Sequence, residues 1–230
     1  MGKRTKAIKI TDQNKAWNRR KTRMNPYLIA QREKSKTFLI ICEGENTEPE
    51  YFKAFPVKTA TIKSYGLGSS KSKLVEYVLE ITEHETDEDQ EVWIVFDMDL
   101  KLQDDIDKQK EDYENAISTA TAAGLKVAHS NDSFELWLIL HYQYIDSNWT
   151  RHEYYKRLSQ LWECNYEKEA KKRKYCALIY QRLQEDERSD QNRAIAHAEK
   201  LEETQEEITL AEKCPHTTVH QLVTALNEYL

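Results

Sequence analysis

Four short, β-rich apolar runs, Thr37–Cys42, Thr61–Tyr65, Val92–Phe96 and Lys126–His129, alternate with longer amphipathic stretches. This alternation constrains the chain more than anything else in it, because it is how βα units and a parallel sheet are written in sequence. Parallel neighbours need long crossovers, and the intervening helices supply them. One helix is expected to start near Thr47, with Glu48 in its first turn and Glu50 three residues after Thr47, a capping-box spacing. A second spans Ser70 to about Glu83, where Leu74, Val75, Val78 and Leu79 recur, and a third runs from about Asp107 to Ala123. The expectation is an α/β core with a small, mainly parallel four-stranded sheet flanked by helices.

Beyond Gly124 there is no glycine, and only Pro215 interrupts a stretch rich in Glu, Lys, Gln, Arg, Leu and Ala. A mainly helical half follows from that composition. A helix from Ser133 carries Phe134, Trp137, Leu138 and His141 at helical spacing, and packs onto the sheet or bridges to the second half. Later helices are expected at Arg151–Glu163, Glu167–Gln184, Gln191–Ala211 and Thr217–Tyr229, while the acidic run Glu83 to Glu91 reads as a solvated loop. The chain therefore divides into a basic N-terminal arm (1–36), an α/β core (37–145) and a helical C-terminal region (146–230).

The net charge of −6 conceals an asymmetry. The first 36 residues hold 12 Lys or Arg against Asp12 and Glu33, a net of +10, which leaves 22 minus 38, or −16, for the remainder. Lys15, Arg19, Arg20, Lys21 and Arg23 form the densest part of the arm. Such a stretch suits a polyanion, since each neutralised phosphate releases condensed counterions, but it is equally able to lie on its own acidic body. The apolar stretches Phe38–Cys42 and Leu136–Leu140 are five residues each, far short of the roughly 20 needed to span a bilayer. No apolar segment follows the basic start to act as a secretion signal, so a cytoplasmic address and no membrane partner are expected. Cys42, Cys164, Cys176 and Cys214 form no CxxC pair and read as ordinary reduced thiols. No Walker motif is present, so any use of ATP falls to another chain.

The chemistry-bearing feature is that two strands run straight into acids: Glu43-Gly44-Glu45 after Phe38–Cys42, and Asp97-Met98-Asp99 after Val92–Phe96. In a parallel sheet the carboxyl ends of the strands share one edge, so these acids meet in one crevice. Clustered carboxylates raise one another's pKa unless a cation sits among them. Oxygen-only ligation suits Mg²⁺ or Mn²⁺, with Glu43, Asp97 and Asp99 as the candidate catalytic and metal residues. Glu48 and Glu50 fit a capping role, since helix N-termini prefer negative charge. Asn131 and Glu135, at a further strand end and helix start, are candidates to add ligands, as is Glu48. Glu135 is equally explained by its capping-box spacing from Asp132. His141, four residues after Trp137, reads as a core residue, and His216 and His220 read as cap or surface residues beside Pro215.

Four segments in order, FLIICEGENTEPEYFKAF, VWIVFDMDL, VAHSNDSFELWLILHY and CPHTTVHQLVTAL, resemble the successive motifs of the RloB-like family. That resemblance implies a Toprim-like core, a place in prokaryotic anti-phage abortive-infection loci, and an RloA-like ATPase as partner. It also implies a Mg²⁺-dependent nuclease acting on DNA, RNA or tRNA, in which Glu43 manages a proton while Asp97 and Asp99 hold the metal. An alternative within the same resemblance is a non-catalytic regulatory or nucleic-acid-binding subunit. The segment WIVFDMDL also resembles the opening of haloacid-dehalogenase-type phosphatases, but Leu100-Lys101 stand where that family has Gly-Thr.

Overall fold

The computed structural model describes residues 36–68, 70–83, 89–101 and 103–230. The basic arm through Ser35, with Lys15, Arg19, Arg20, Lys21 and Arg23, and the acidic run at 84–88 lie outside the described residues. The elements in chain order are β1 Lys36–Cys42, α1 Thr47–Lys53, β2 Ala60–Gly66, α2 Lys71–Thr82, β3 Gln90–Asp97, α3 Ile106–Ala122 and β4 Lys126–Asn131. There follow α4 Glu135–Leu140, α5 Arg151–Leu161, α6 Tyr166–Glu169, α7 Arg173–Cys176, α8 Ile179–Glu185, α9 Gln191–Glu203, β5 His216–Thr217 and α10 Val219–Asn227.

The strand period of two sorts each apolar run onto both faces of the sheet. Phe38, Ile40, Trp93 and Val95 join one buried cluster with Tyr51, Phe52, Trp137 and Leu222. Leu39, Ile41, Ile94 and Phe96 join another with Leu74, Val75, Val78, Tyr113 and Ile117. Thus α2 and α3 cover one face, while α1, α4 and the later helices cover the other. Residues 36–230 form one compact unit.

The strand order is β2-β1-β3-β4-β5, with β1 parallel to β2 and β3, and β3 parallel to β4. The register aligns Cys42 with Gly66 and Val95, and Asp97 with Ser130, so the carboxyl ends of four strands share an edge. The sheet has five strands and not four. The fifth, β5, is antiparallel to β4, pairing Thr217 with Ser130 and His216 with Asn131. Thr218 locks this return: its Oγ1 accepts from His129 N at 2.9 Å, and its own N donates to His129 O at 2.8 Å. His216 and His220 are accordingly buried, not capping or surface residues.

The expected helix Glu167–Gln184 is three short ones, because Lys171-Lys172-Arg173-Lys174 offers no apolar residue to hold a face between Tyr166 and Cys176. The helix from Gln191 stops at Glu203. Ala211 packs with the other cluster, its N donating to Glu114 Oε1 on α3 at 3.0 Å. Among the described residues, no helix is long and apolar enough to cross a membrane.

Candidate functional site

The loop after β1 starts inside the ladder, since Glu43 N donates to Val95 O at 2.8 Å. The chain then turns so tightly that a Cβ on Gly44 would collide with the Glu48 carboxylate, and one on Gly66 with the backbone of Gly44 and Glu45. Glycine at both positions lets β2 and the acidic loop approach. After β3, Met98 N donates to Ser130 O at 2.8 Å and Asp99 N to Asp132 O at 3.2 Å. Asp99 has φ 44°, a left-handed conformation that an aspartate tolerates better than most side chains.

These turns form a cleft of about 510 Å³ at the carboxyl edge of the sheet, in which Glu43, Glu48, Asp97 and Asp99 meet Lys71 and Arg151. Two helix starts deliver the cations, Lys71 from α2 and Arg151 from α5. The start of α5 is fixed because Glu153 Oε2 accepts from Thr150 N at 2.7 Å and from Thr150 Oγ1 at 2.9 Å. Arg151 Nη1 lies 2.8 Å from Asp99 Oδ1, and its Nη2 lies 3.8 Å from Asp97 Oδ2. Lys71 Nζ lies 3.8 Å from Glu43 Oε1. Asp97 Oδ2 also accepts from Phe134 N at 3.0 Å.

The electrostatics follow from burial. Asp97 is raised well above the ordinary aspartate range by burial and then by Glu48, with Arg151 opposing. Glu48 is raised to about 7, first by burial, then by Glu135 and Glu43 against a backbone hydrogen bond. Burial also raises Glu43, opposed by Lys71 and reinforced by Asp99. Burial works against the charge on Arg151, yet Asp97 and Asp99 hold its pKa above the ordinary value. The cleft thus carries acids that resist full ionisation and draw cations.

The expected residues divide in two. Glu43, Asp97, Asp99 and Glu48 line the cleft. Glu48 is 8% exposed, and the N-cap of α1 is Asn46, so Glu48 is a wall of the cleft as well as a first-turn acid. Glu50 makes no capping box; its Oε1 accepts from Lys53 Nζ and Arg173 Nε. Glu135 lies behind the cleft, buried, with Oε1 accepting from Tyr166 Oη at 3.1 Å instead of capping α4. Asn131 is turned away: its Nδ2 donates to Lys213 O at 2.6 Å and to Ala211 O at 3.4 Å. His141 is a core residue, with Nδ1 2.9 Å from Trp137 O. Arg151 and Lys71 have no signal in the sequence that marks them for the cleft, and Asp132 shows there only as a capping-box partner of Glu135. Asp132 stands near Arg151 and Asp99: burial raises its pKa, with the Arg151 charge opposing and Asp99 reinforcing.

Among the described residues, no three His, Cys, Asp or Glu side chains are disposed to hold a metal ion between them. The donor chemistry of Glu43, Asp97 and Asp99, all hard carboxylate oxygens, nonetheless fits Mg²⁺ or Mn²⁺. In the described arrangement the cation between the two aspartates is the Arg151 guanidinium.

A family model described as RloB-like protein matches residues 38–226, most of the chain and every element that builds the cleft. No curated protein and no solved structure matches the chain.

Proposed function

The chain belongs to the RloB-like protein family, and we propose that it is a Mg²⁺- or Mn²⁺-dependent nuclease of Toprim type, serving prokaryotic anti-phage defence beside an RloA-like ATPase. The observation that carries this reading is the meeting of Glu43, Asp97 and Asp99 with Lys71 and Arg151 in one cleft at the carboxyl edge of a parallel sheet. Glu43, Asp97 and Asp99 would hold the ion. Its contribution, when bound, is to offset charge developing on a scissile phosphodiester.

The chain's own groups do the rest. Glu43 has its pKa raised by burial, which brings it closer to the pH at which a carboxyl can exchange a proton with a nucleophilic water. Lys71 and Arg151 face the same space and suit phosphate oxygens, Arg151 through its planar fork. For a substrate phosphate to take the guanidinium, Arg151 must leave Asp99. The arm residues Lys15, Arg19, Arg20, Lys21 and Arg23 would track the backbone of the nucleic acid beyond the cleft.

The test is cleavage of tRNA, single-stranded DNA and duplex DNA by the full chain with Mg²⁺ or Mn²⁺, against Asp97→Ala/Asp99→Ala. The expected result is metal-dependent cutting that falls at least about a hundredfold in the variant while its circular dichroism still reports the folded chain at the assay temperature, its melting temperature being lowered by the loss of the Arg151 pairs. A variant that cuts at the parental rate overturns the mechanism. The Arg151 ion pairs with both aspartates favour a second reading, a non-catalytic regulatory or nucleic-acid-binding subunit whose acids are already neutralised. Absence of cleavage and of Mn²⁺ binding, with assembly onto the ATPase, would select it.

A further inference from the structure

A second cavity, of about 500 Å³, lies beside β4, walled by Trp93 of β3, by α3 and by the return through β5 into α10, and shares no lining residue with the acidic cleft. Its character is different. Ile117, Leu125, Val127 and Ala225 give it an apolar wall, and Lys213, His216 and Gln221 give it donors. Two of those groups are poorly served by the protein. His216 is 1% exposed, and neither ring nitrogen has a hydrogen-bond partner among the described residues. Lys213 is 9% exposed and makes no ion pair among the described residues. Buried polar groups are normally satisfied, so unpartnered ring nitrogens of His216 in the wall of a cavity that also holds the Lys213 side chain mark a place where a ligand completes the bonding.

The chemistry of the lining narrows the ligand. Burial, with Lys213 and His220 beside it, lowers His216 to about 4, so its ring is neutral near pH 7 and offers one N–H and one lone pair. Lys213 adds an ammonium with three donors, which together favour an anionic head with several acceptor oxygens. Glu202 stands in the lining, with Oε2 3.4 Å from His220 Nε2. Its carboxylate repels an anion and accepts from hydroxyl or amino groups, so a single ligand must carry its charge towards Lys213 and its donors towards Glu202. The apolar wall suits a planar or aliphatic body, and the volume lies within the range of small-ligand sites. We propose that this cavity is a second ligand site, taking a phosphate monoester whose organic body is of mononucleotide size.

The site is independent of the nuclease reading, and its test reads binding alone. Calorimetric titration of the full chain without divalent ions uses inorganic phosphate, ribose 5-phosphate, AMP and adenosine as probes. Expected are saturable binding of AMP at one per chain, at least about tenfold tighter than inorganic phosphate, and no binding of adenosine. Lys213→Met should weaken AMP at least about tenfold, whereas Asp97→Asn in the cleft should leave it unchanged. Gln221→Leu, at an exposed helix position, should weaken it several-fold and covers the case in which Lys213→Met does not fold. No saturable AMP binding, equal affinity for AMP and phosphate, equal affinity for AMP and adenosine, retention in both lining variants, or loss in Asp97→Asn each overturns the proposal.

Discussion

Replacing Glu48 by Gln should raise stability at neutral to alkaline pH and flatten its dependence on pH. Glu48 lies in the first turn of α1 at 8% exposure, and burial, then Glu135 and Glu43, raise its pKa from 4.5 to about 7. Between those two values the folded chain holds a proton that the unfolded chain has lost. Stability therefore falls as pH rises through that window and is unaffected by Glu48 below it. The interval from 4.5 to about 7, at about 1.36 kcal/mol for each pH unit, comes to roughly 3 kcal/mol. Gln keeps the shape and has no proton to lose. Urea unfolding of parent and variant from about pH 4.5 to about pH 8 should show near parity at the acid end and a variant advantage of about 3 kcal/mol at the alkaline end. Glu43, also raised by burial, gives both proteins a shared slope, whereas Asp97, raised in part by Glu48, is relieved in the variant and adds to the divergence between the two curves, which is the readout. Parallel curves would refute the reasoning, because they would mean that Glu48 ionises as freely in the folded chain as in the unfolded one.

Three further results are expected. Arg151→Met removes the cation shared by Asp97 and Asp99, and should lower stability near pH 7 by roughly 1–3 kcal/mol, with the deficit shrinking as Asp97 takes up a proton on acidification. Unfolding curves that coincide at both ends of the pH range would deny the guanidinium that role. Tyr166→Phe keeps the buried ring but strips the donor from Glu135, at a cost of about 1–3 kcal/mol measured by thermal or urea unfolding. An unchanged midpoint would show that Glu135 does not depend on Tyr166. Mn²⁺ titration followed by calorimetry should show binding to the parent that is lost in Asp97→Ala/Asp99→Ala, and equal heats in both would remove the ion from the cleft.

The parallel core was legible because its signals are local and repeated. β1 to β3 carry β-branched and aromatic residues, β4 is marked by Val127 and Ala128 after the turn glycine Gly124, and the structure extends the expected bounds by only a residue or two at either end. The acids after β1 and β3 were legible for the same reason: a strand end fixes where its next residue goes. What escaped depends on distant pairing. β5 is two residues long, His216 and Thr217, too short to show a period, and it exists only because Asn131 and Ser130 receive it. Arg151 lies 52 positions after Asp99, and nothing in its neighbourhood announces the pair; the Thr150-x-x-Glu153 pattern locates the helix start but not what its first residue meets. Glu48 looked like a cap because the first turn of a helix favours acids whatever surrounds them, and only the folded chain reveals the wall of carboxylates behind it. The spacing of Asp132 and Glu135 misled in the same manner, since Tyr166 from α6 claims Glu135.

The return of β5 ties together stretches of the gene that a reader of the primary structure would assign to separate parts. A nonsense codon or frameshift shortly before position 216 would strip β4 of a bordering strand and take the anchor away from Lys213 and Ala211, whose carbonyls hold Asn131. Such a lesion would strike the edge on which the acidic cleft is built, though it falls more than a hundred codons downstream of Asp99. Grafting, splitting or shortening this protein at the midpoint between its mixed and helical halves would therefore divide a single cooperative sheet.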